Sequence, residues 1–169
     1  MDSISQILGQ WHRERPDLDV TPMGLIGRVL RLSRQLTAEM EKTFETFGLT
    51  PAGFDVLATL RRSGPPYALS PGALLDSMMV TSGTMTHRVD LLVKAGLVER
   101  SPNPDDRRSF IISLTEEGFA VIERAVEAHV ATQTRLVALL PAAERRQLDS
   151  LLGDFLVRIE GVASEESEQ

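Results

Sequence analysis

The chain contains no cysteine. Without a thiol there are no disulfides, no thiolate metal sites and no thiol redox sensor. Aromatic residues supply only 5% of the 169 positions, with one tryptophan and one tyrosine. No apolar run approaches the roughly 20 residues that a membrane-spanning helix needs. The opening run, MDSISQILGQWHRERPD, lacks a basic start followed by an apolar block. A secretory signal is therefore not expected, and a cytoplasmic location is. Neither a glycine-rich phosphate loop nor a G-x-S-x-G nucleophile turn is present. His12, His87 and His129 are scattered without metal-ligand spacing. These absences point away from an enzyme and from any metal or cofactor. Internal repeats and low-complexity linkers are missing too.

What remains is a chain built to fold. Hydrophobic residues make up 42% of it, enough for one domain with a real core or with helical extensions. The formal net charge is −6, which argues against nucleic acid as a partner. Net charge is nevertheless a poor guide to a local surface. Between positions 61 and 115, Arg61, Arg62, Arg88, Lys94, Arg100, Arg107 and Arg108 outnumber Asp76, Asp90, Glu99, Asp105 and Asp106. The middle is mildly basic and the ends are acidic, finishing in SEESEQ.

Residues 2 to 15 read as a short helix, because Ile4, Ile7, Leu8 and Trp11 fall on one helical face before Pro16. On chemistry alone, Trp11 would anchor this arm by burying its ring. Thr21-Pro22 reads as a cap and first-turn proline opening a long helix to about Phe47, ended by Gly48. Its stripe of Leu25, Ile26, Val29, Leu32, Leu36, Met40 and Phe44 is longer than one small core covers, so part of it should meet a partner subunit. Thr50-Pro51 opens the next helix, to about Arg62. There Asp55 sits beside the apolar face, where a solvated acid is the plain reading. Ser70-Pro71 opens a short helix to about Ser77, and Thr81 caps another, ended by Gly96.

On that last helix Met85, Val89, Leu92 and Val93 should point inward, and His87, Lys94, Gly83 and Asp90 outward, at about 100° per residue. Leu97 to Arg100 reads as a strand, SPNPDDRR as a turn, and Phe110, Ile111, Ile112 and Leu114 as the return strand. Thr115 caps a long helix with Glu116 and Glu117 in its first turn, where acids suit the dipole. Pro141 separates it from a final helix with Leu148, Leu151, Leu152, Phe155 and Ile159 on one face. The exposed stripes of the terminal helices need cover, and a second copy of the chain is the simplest one.

The middle therefore predicts a helix-turn-helix followed by a hairpin wing. An α-helix fits the major groove of double-stranded DNA, and Ser82, Thr84, Thr86 and His87 are polar groups placed to approach base edges. Lys94 lies on the same outward side. Arg107 and Arg108 at the hairpin tip could reach phosphates or a narrow minor groove, oriented by Asp105 or Asp106. A packing module or protein-interaction module with this element order is the alternative.

The run SGTMTHRVDLLVKAGLVERSPNPDDRRSFIISLTEEG, Ser82 to Gly118, resembles the MarR family of bacterial transcription regulators. Asp106, Arg108, Leu114 and Thr115 match the family's D-x-R-x5-L-T wing pattern. The resemblance implies a homodimer with interlocking terminal helices, recognition helices in successive major grooves of a pseudo-palindrome, and wings in the flanking minor grooves. QWHRERPDLDVTPMGLIGRVLRL resembles the urate-responsive branch of that family, with its PecS-like and trans-aconitate-responsive members. Trp11, Asp55 and Arg88 match the tryptophan, aspartate and recognition-helix arginine of that branch. Members outside it usually carry an apolar residue where Arg88 stands. Leu91 departs from the pattern, since the family often places arginine there.

Helical geometry gives Arg88 a special position. It lies roughly 85° from the centre of the apolar stripe, bordering the core instead of pointing straight out. Its planar fork suits a carboxylate or the edge of a urate-like anion. Asp55 would be its partner in the empty state, and Arg100 could link the recognition helix to the wing.

The expected fold is mainly α with a small β-hairpin wing: a winged helix-turn-helix with long N- and C-terminal dimerisation helices. Residues 1–20 form an extra helical arm, 21–48 and 116–161 the dimerisation region, 49–115 the DNA-binding domain, and 162–169 an acidic tail. The expected function is a DNA-binding repressor released by a small anionic metabolite of the urate/xanthine or trans-aconitate/citrate type. A winged-helix regulator without small-molecule control is the alternative.

Overall fold

A computed structural model describes residues 2–78, 85–103 and 109–167, with side chains described as far as Val162. The helices are α1 (Ser3–Glu14), α2 (Thr21–Glu45), α3 (Pro51–Arg62), α4 (Pro71–Ser77), α5 (Met85–Lys94), α6 (Glu116–Val137) and α7 (Ala142–Ser167). The strands are β1 (Ala68–Leu69), β2 (Val98–Pro102) and β3 (Phe110–Leu114). Two compact units divide the chain, residues 1–129 and 130–169. Among the described residues no helix is long and apolar enough to cross a membrane.

Local chemistry explains most boundaries. Thr50 and Ser70 each accept a hydrogen bond from the backbone N–H three residues on, and a proline follows each at the first helical position. Gly48 and Gly96 close α2 and α5 in the left-handed region, at φ of 68° and 72°. The start of α2 departs from expectation. Thr21 is its first residue and not its cap; Val20 occupies that position and makes no side-chain cap bond. The Asp19 carboxylate instead accepts from the Thr21 N–H at 3.0 Å. Val20 is buried, so packing sets this helix start.

The wing is part of a three-stranded antiparallel sheet in the order β1-β3-β2. Val98 pairs with Leu114 and Pro102 with Phe110 across β2 and β3. The edge strand β1 was not foreseen. It follows a proline-rich turn and pairs Ala68 with Ser113 and Leu69 with Ile112. Two residues between turn signals carry no readable alternation, which is why the pattern missed it.

The core lies among the end of α2, α3, α4, α5, the sheet and the first half of α6. Val56, Leu57, Leu60, Leu74, Val89, Ile112 and Ile122 are essentially inaccessible. Thr115 ties the α5–β2 junction to α6. Its hydroxyl donates to the Gly96 carbonyl at 2.7 Å and accepts from the Gly118 N–H at 2.9 Å. A Cβ on Gly118 would lie 1.8 Å from the Leu97 carbonyl oxygen, so only glycine permits this approach.

The first helix is seated on the second. Cβ atoms on Gly24 and Gly27 would come within 2.9 Å of the Leu8 side chain and 3.3 Å of the Ile4 side chain, so α1 packs closely against these glycines. In the second unit α7 is a long helix with Leu151, Leu152, Phe155, Leu156 and Ile159 all exposed. On α2, Leu25, Ile26, Val29, Leu30 and Leu32 are exposed in the same way.

Candidate nucleic-acid interface and anion pocket

Helix α5 is anchored by Val89 and Leu92, which are buried. Met85 is partly buried against the same core. Val93 was expected to join them but is 38% exposed, so the inward stripe is narrower than the four positions suggested. It sits at the edge of that arc, at about 100° per residue, where the core no longer reaches. Thr86, His87, Asp90, Leu91 and Lys94 are exposed, and Arg88 is half-buried. The helix therefore turns one face to the core and offers the other to a partner. Ser82, Thr84, Asp106, Arg107 and Arg108 lie outside the described residues, as do Thr81, Gly83 and Asp105.

Arg100 joins α5 to the wing. Its Nη2 lies 2.7 Å from Asp90 Oδ1 on α5. Its guanidinium also stands 5.0 Å from the centre of the Phe110 ring on β3. Arg100 pairs with Ile112 across the ladder, so Phe110 is its diagonal neighbour on the same face. The hairpin is closed beyond them by Asn103. Its backbone N–H donates to the Ser109 carbonyl at 3.1 Å and its side-chain amide to the Ser109 hydroxyl at 2.9 Å.

Helix α3 carries a carboxylate with an unmet hydrogen bond. Asp55 Oδ2 on α3 is buried and has no hydrogen-bond partner. Burial pushes its carboxyl above the usual range, opposed first by the charge of Arg62 and then by that of Arg88. The expected direct pairing of Asp55 with Arg88 is not formed: no ion pair joins them among the described residues. Arg88 instead lines a cleft of about 310 Å³ with Thr50, Gly53, His87, Leu91 and Leu97. Neither Asp55 nor Trp11 lines that cleft.

Sequence reasoning missed Arg62. It follows Asp55 by seven residues, about two helical turns, and so shares its face. Arg62 Nη2 donates to the Ser77 carbonyl at the end of α4 and to the Thr59 hydroxyl, the latter at 3.3 Å. It thus ties α3 to the segment that leads into the recognition helix. The spacing from Asp55 was the signal available. Trp11 stands on α1, 39% exposed, and no hydrogen bond, ion pair or ring contact joins it to Asp55 or Arg88. Among the described residues no group of three or more histidine, aspartate or glutamate side chains is placed to hold a metal ion.

A short helix, a polar-faced helix and a hairpin tied to it by a buttressing arginine define a winged helix-turn-helix DNA-binding protein. Residues 49–110 match the MarR family. Over 150 residues the chain is 44% identical to the HTH-type transcriptional regulator PecS of Dickeya dadantii, spanning 89% of this chain and 90% of that protein. The structure of a variant of Escherichia coli MarR complexed with operator DNA superposes with a TM-score of 0.68 at 26% identity, covering 86% of this chain and 97% of that one. Bordetella bronchiseptica BpsR superposes at 0.66 with 27% identity, covering 77% and 91%. Its structure was solved for the regulation of its DNA binding by 6-hydroxynicotinic acid. The chain belongs to the MarR family, whose members are DNA-binding transcriptional regulators and not enzymes.

Proposed function

We propose that this regulator is a homodimeric, cytoplasmic repressor that a small anion removes from its operator. The exposed apolar faces of α2 and α7 support self-association, because unpaired stripes of that length need cover. In this reading residues 21–48 and 116–161 dimerise, 49–115 hold DNA, 1–20 form an accessory arm, and 162–169 end the chain. Two copies of α5 enter successive major grooves of a pseudo-palindrome. Ser82, Thr84, Thr86 and His87 address base edges, Lys94 the phosphates, and Arg107 and Arg108, oriented by Asp106, the flanking minor grooves. The likeness to MarR on operator DNA supports this geometry.

The observation that carries anion control is half-buried Arg88 on the recognition helix, whose charge acts on the half-buried Asp55 carboxylate, which has no hydrogen-bond partner on its buried Oδ2. An entering anion draws Arg88 toward itself and repels Asp55. Arg62 is drawn to the same negative charge and is bonded to the end of α4, so α4 and α5 shift together. Arg100 carries that shift to the wing through Asp90 and Phe110. Release requires the ligand to prefer the DNA-incompetent state by about 1–3 kcal/mol. Urate, xanthine, trans-aconitate and citrate present the required planar or carboxylate edges. Regulation of BpsR by a small aromatic acid supports this class of ligand.

Trp11 supplies the test, as the sole tryptophan. Titration with each of the four anions is expected to change its emission saturably for at least one. In Arg88→Ala that anion no longer releases DNA. If none alters the emission and Arg88→Ala responds as wild type does, the chain is a winged-helix regulator without this control.

A further inference from the structure

Along the outward side of α5 the exposed residues include His87, Leu91 and Lys94, at spacings of four and three. At about 100° per residue, Leu91 lies about 40° and Lys94 about 20° round the helix from His87, so the three share one stripe. The buried pair Val89 and Leu92 lies on the opposite side. Asp90, the acid beside this stripe, is engaged by Arg100 at 2.7 Å. The stripe thus offers an imidazole, an isobutyl group and an ammonium.

Leu91 is the chemical outlier of the three. It is 52% exposed, and Ala95, one turn on, is too small to cover it. It lies outside the stretches 21–48 and 116–161, whose apolar faces a second copy would cover. Leucine neither donates nor accepts a hydrogen bond, so it adds nothing to phosphate contacts or to hydrogen-bonded base readout. The major groove does present one apolar group, the C5-methyl of a pyrimidine, which thymine carries and cytosine lacks. In the docking proposed above, Leu91 stands between His87, which addresses base edges, and Lys94, which addresses phosphates.

From this arrangement we infer that Leu91 is a specificity-determining residue that reads a pyrimidine C5-methyl group in each half-site. The inference rests on the DNA-binding reading of α5, and not on its anion control. Contact between leucine and methyl removes apolar surface of both from water. The methyl therefore contributes about fourfold in affinity per half-site, and about fifteenfold for the pair. The same contact accepts the methyl of 5-methylcytosine, so cytosine methylation at that position strengthens binding instead of blocking it.

The test starts from a duplex selected out of random DNA by rounds of binding to the full wild-type chain. Each thymine is replaced in turn by deoxyuridine, which deletes the methyl and keeps the pairing. Anisotropy is expected to show one symmetry-related pair of thymines whose joint replacement weakens wild-type binding by about fifteenfold. Leu91→Ala binds the two duplexes equally, while Leu91→Met, apolar and of similar size, keeps the discrimination. The ratio is read within one protein, so a general loss of affinity in a variant cancels. At the same positions 5-methylcytosine binds wild type more tightly than cytosine. Affinity equal to that for thymine assigns the preference to the methyl alone; an intermediate value makes thymine the preferred source of it. Deoxyuridine tolerated everywhere, every penalty undiminished in Leu91→Ala, or 5-methylcytosine no better than cytosine would each overturn the inference, while the selected duplex leaves the DNA-binding reading standing. Failure to select any duplex would overturn both.

Discussion

Single residues in this chain are placed against their own stability. Asp55 is the clearest case: a carboxylate oxygen buried with no donor on it. Its folded pKa lies above the unfolded value of 3.8, so the protein is favoured when Asp55 is protonated and loses that contribution as pH rises through the folded pKa. Asp55→Asn removes the charge and keeps the shape. It is expected to raise Tm at about pH 7 and to blunt anion-driven release of DNA. A lower Tm would mean that the carboxylate is a structural asset after all. His129 shows the opposite sign. It packs against Phe44 and Phe54, with ring centres 5.2 Å and 4.9 Å away, and its Nδ1 is buried without a partner. Burial lowers its pKa below 6.5, so folding favours the neutral ring. The stability it contributes is full above 6.5 and is lost as pH falls through the folded value. Replacement by leucine is expected to flatten the Tm profile on the acid side of that window, which thermal melts across a pH series would reveal.

Elements are held in register by close backbone approaches and by Arg100. Gly118→Ala puts a methyl group into the Leu97 carbonyl. The expected loss is at least about 2 kcal/mol, since backbone and not a flexible side chain must yield. That corresponds to a Tm lower by about 4–8 °C, measurable by calorimetry. Arg100→Ala acts differently. Its ion pair with Asp90 is only partly exposed but still reaches water, so it adds modestly to stability. Tm should change little, while DNA affinity falls about tenfold because α5 is no longer tied to the wing. Anisotropy titration and a melt on the same sample separate the two effects. Much at this scale was legible in the sequence. Thr50-Pro51, Ser70-Pro71 and Thr115 announce helix starts by side-chain chemistry that acts within three residues. The start of α2 was misread because burial of Val20 set it, and tertiary packing leaves no local mark. Strand β1 was invisible because two residues make no period. At the site, the border position of Arg88 followed from helical angle alone. The placement of Arg62 near Asp55 was readable from their spacing, but its bond to Ser77 depends on how α3 and α4 pack.

At the scale of the whole molecule, an acidic chain of net charge −6 is asked to hold a polyanion. A chain this acidic has few cations to spare for phosphates, so the salt dependence of binding should be shallow. If two chains together neutralise about four phosphates, the slope of log K against log salt is about −4, far from that of a strongly basic repressor. The exposed apolar faces of α2 and α7 assign the unit of function to a pair of chains, and the sequence spacing of an operator then belongs to the pair. In the proposed switch the acting residue is Arg88, which stands half-buried on α5. The most direct measurement starts from a duplex selected from random DNA by repeated rounds of binding. Urate is titrated into its complex with the wild-type chain and with Arg88→Ala, and fluorescence anisotropy follows release. The account predicts a pseudo-palindromic duplex bound by two chains, saturable release from wild type, and retention by Arg88→Ala. Equal release from both proteins, with urate or with xanthine, trans-aconitate or citrate in its place, would contradict it.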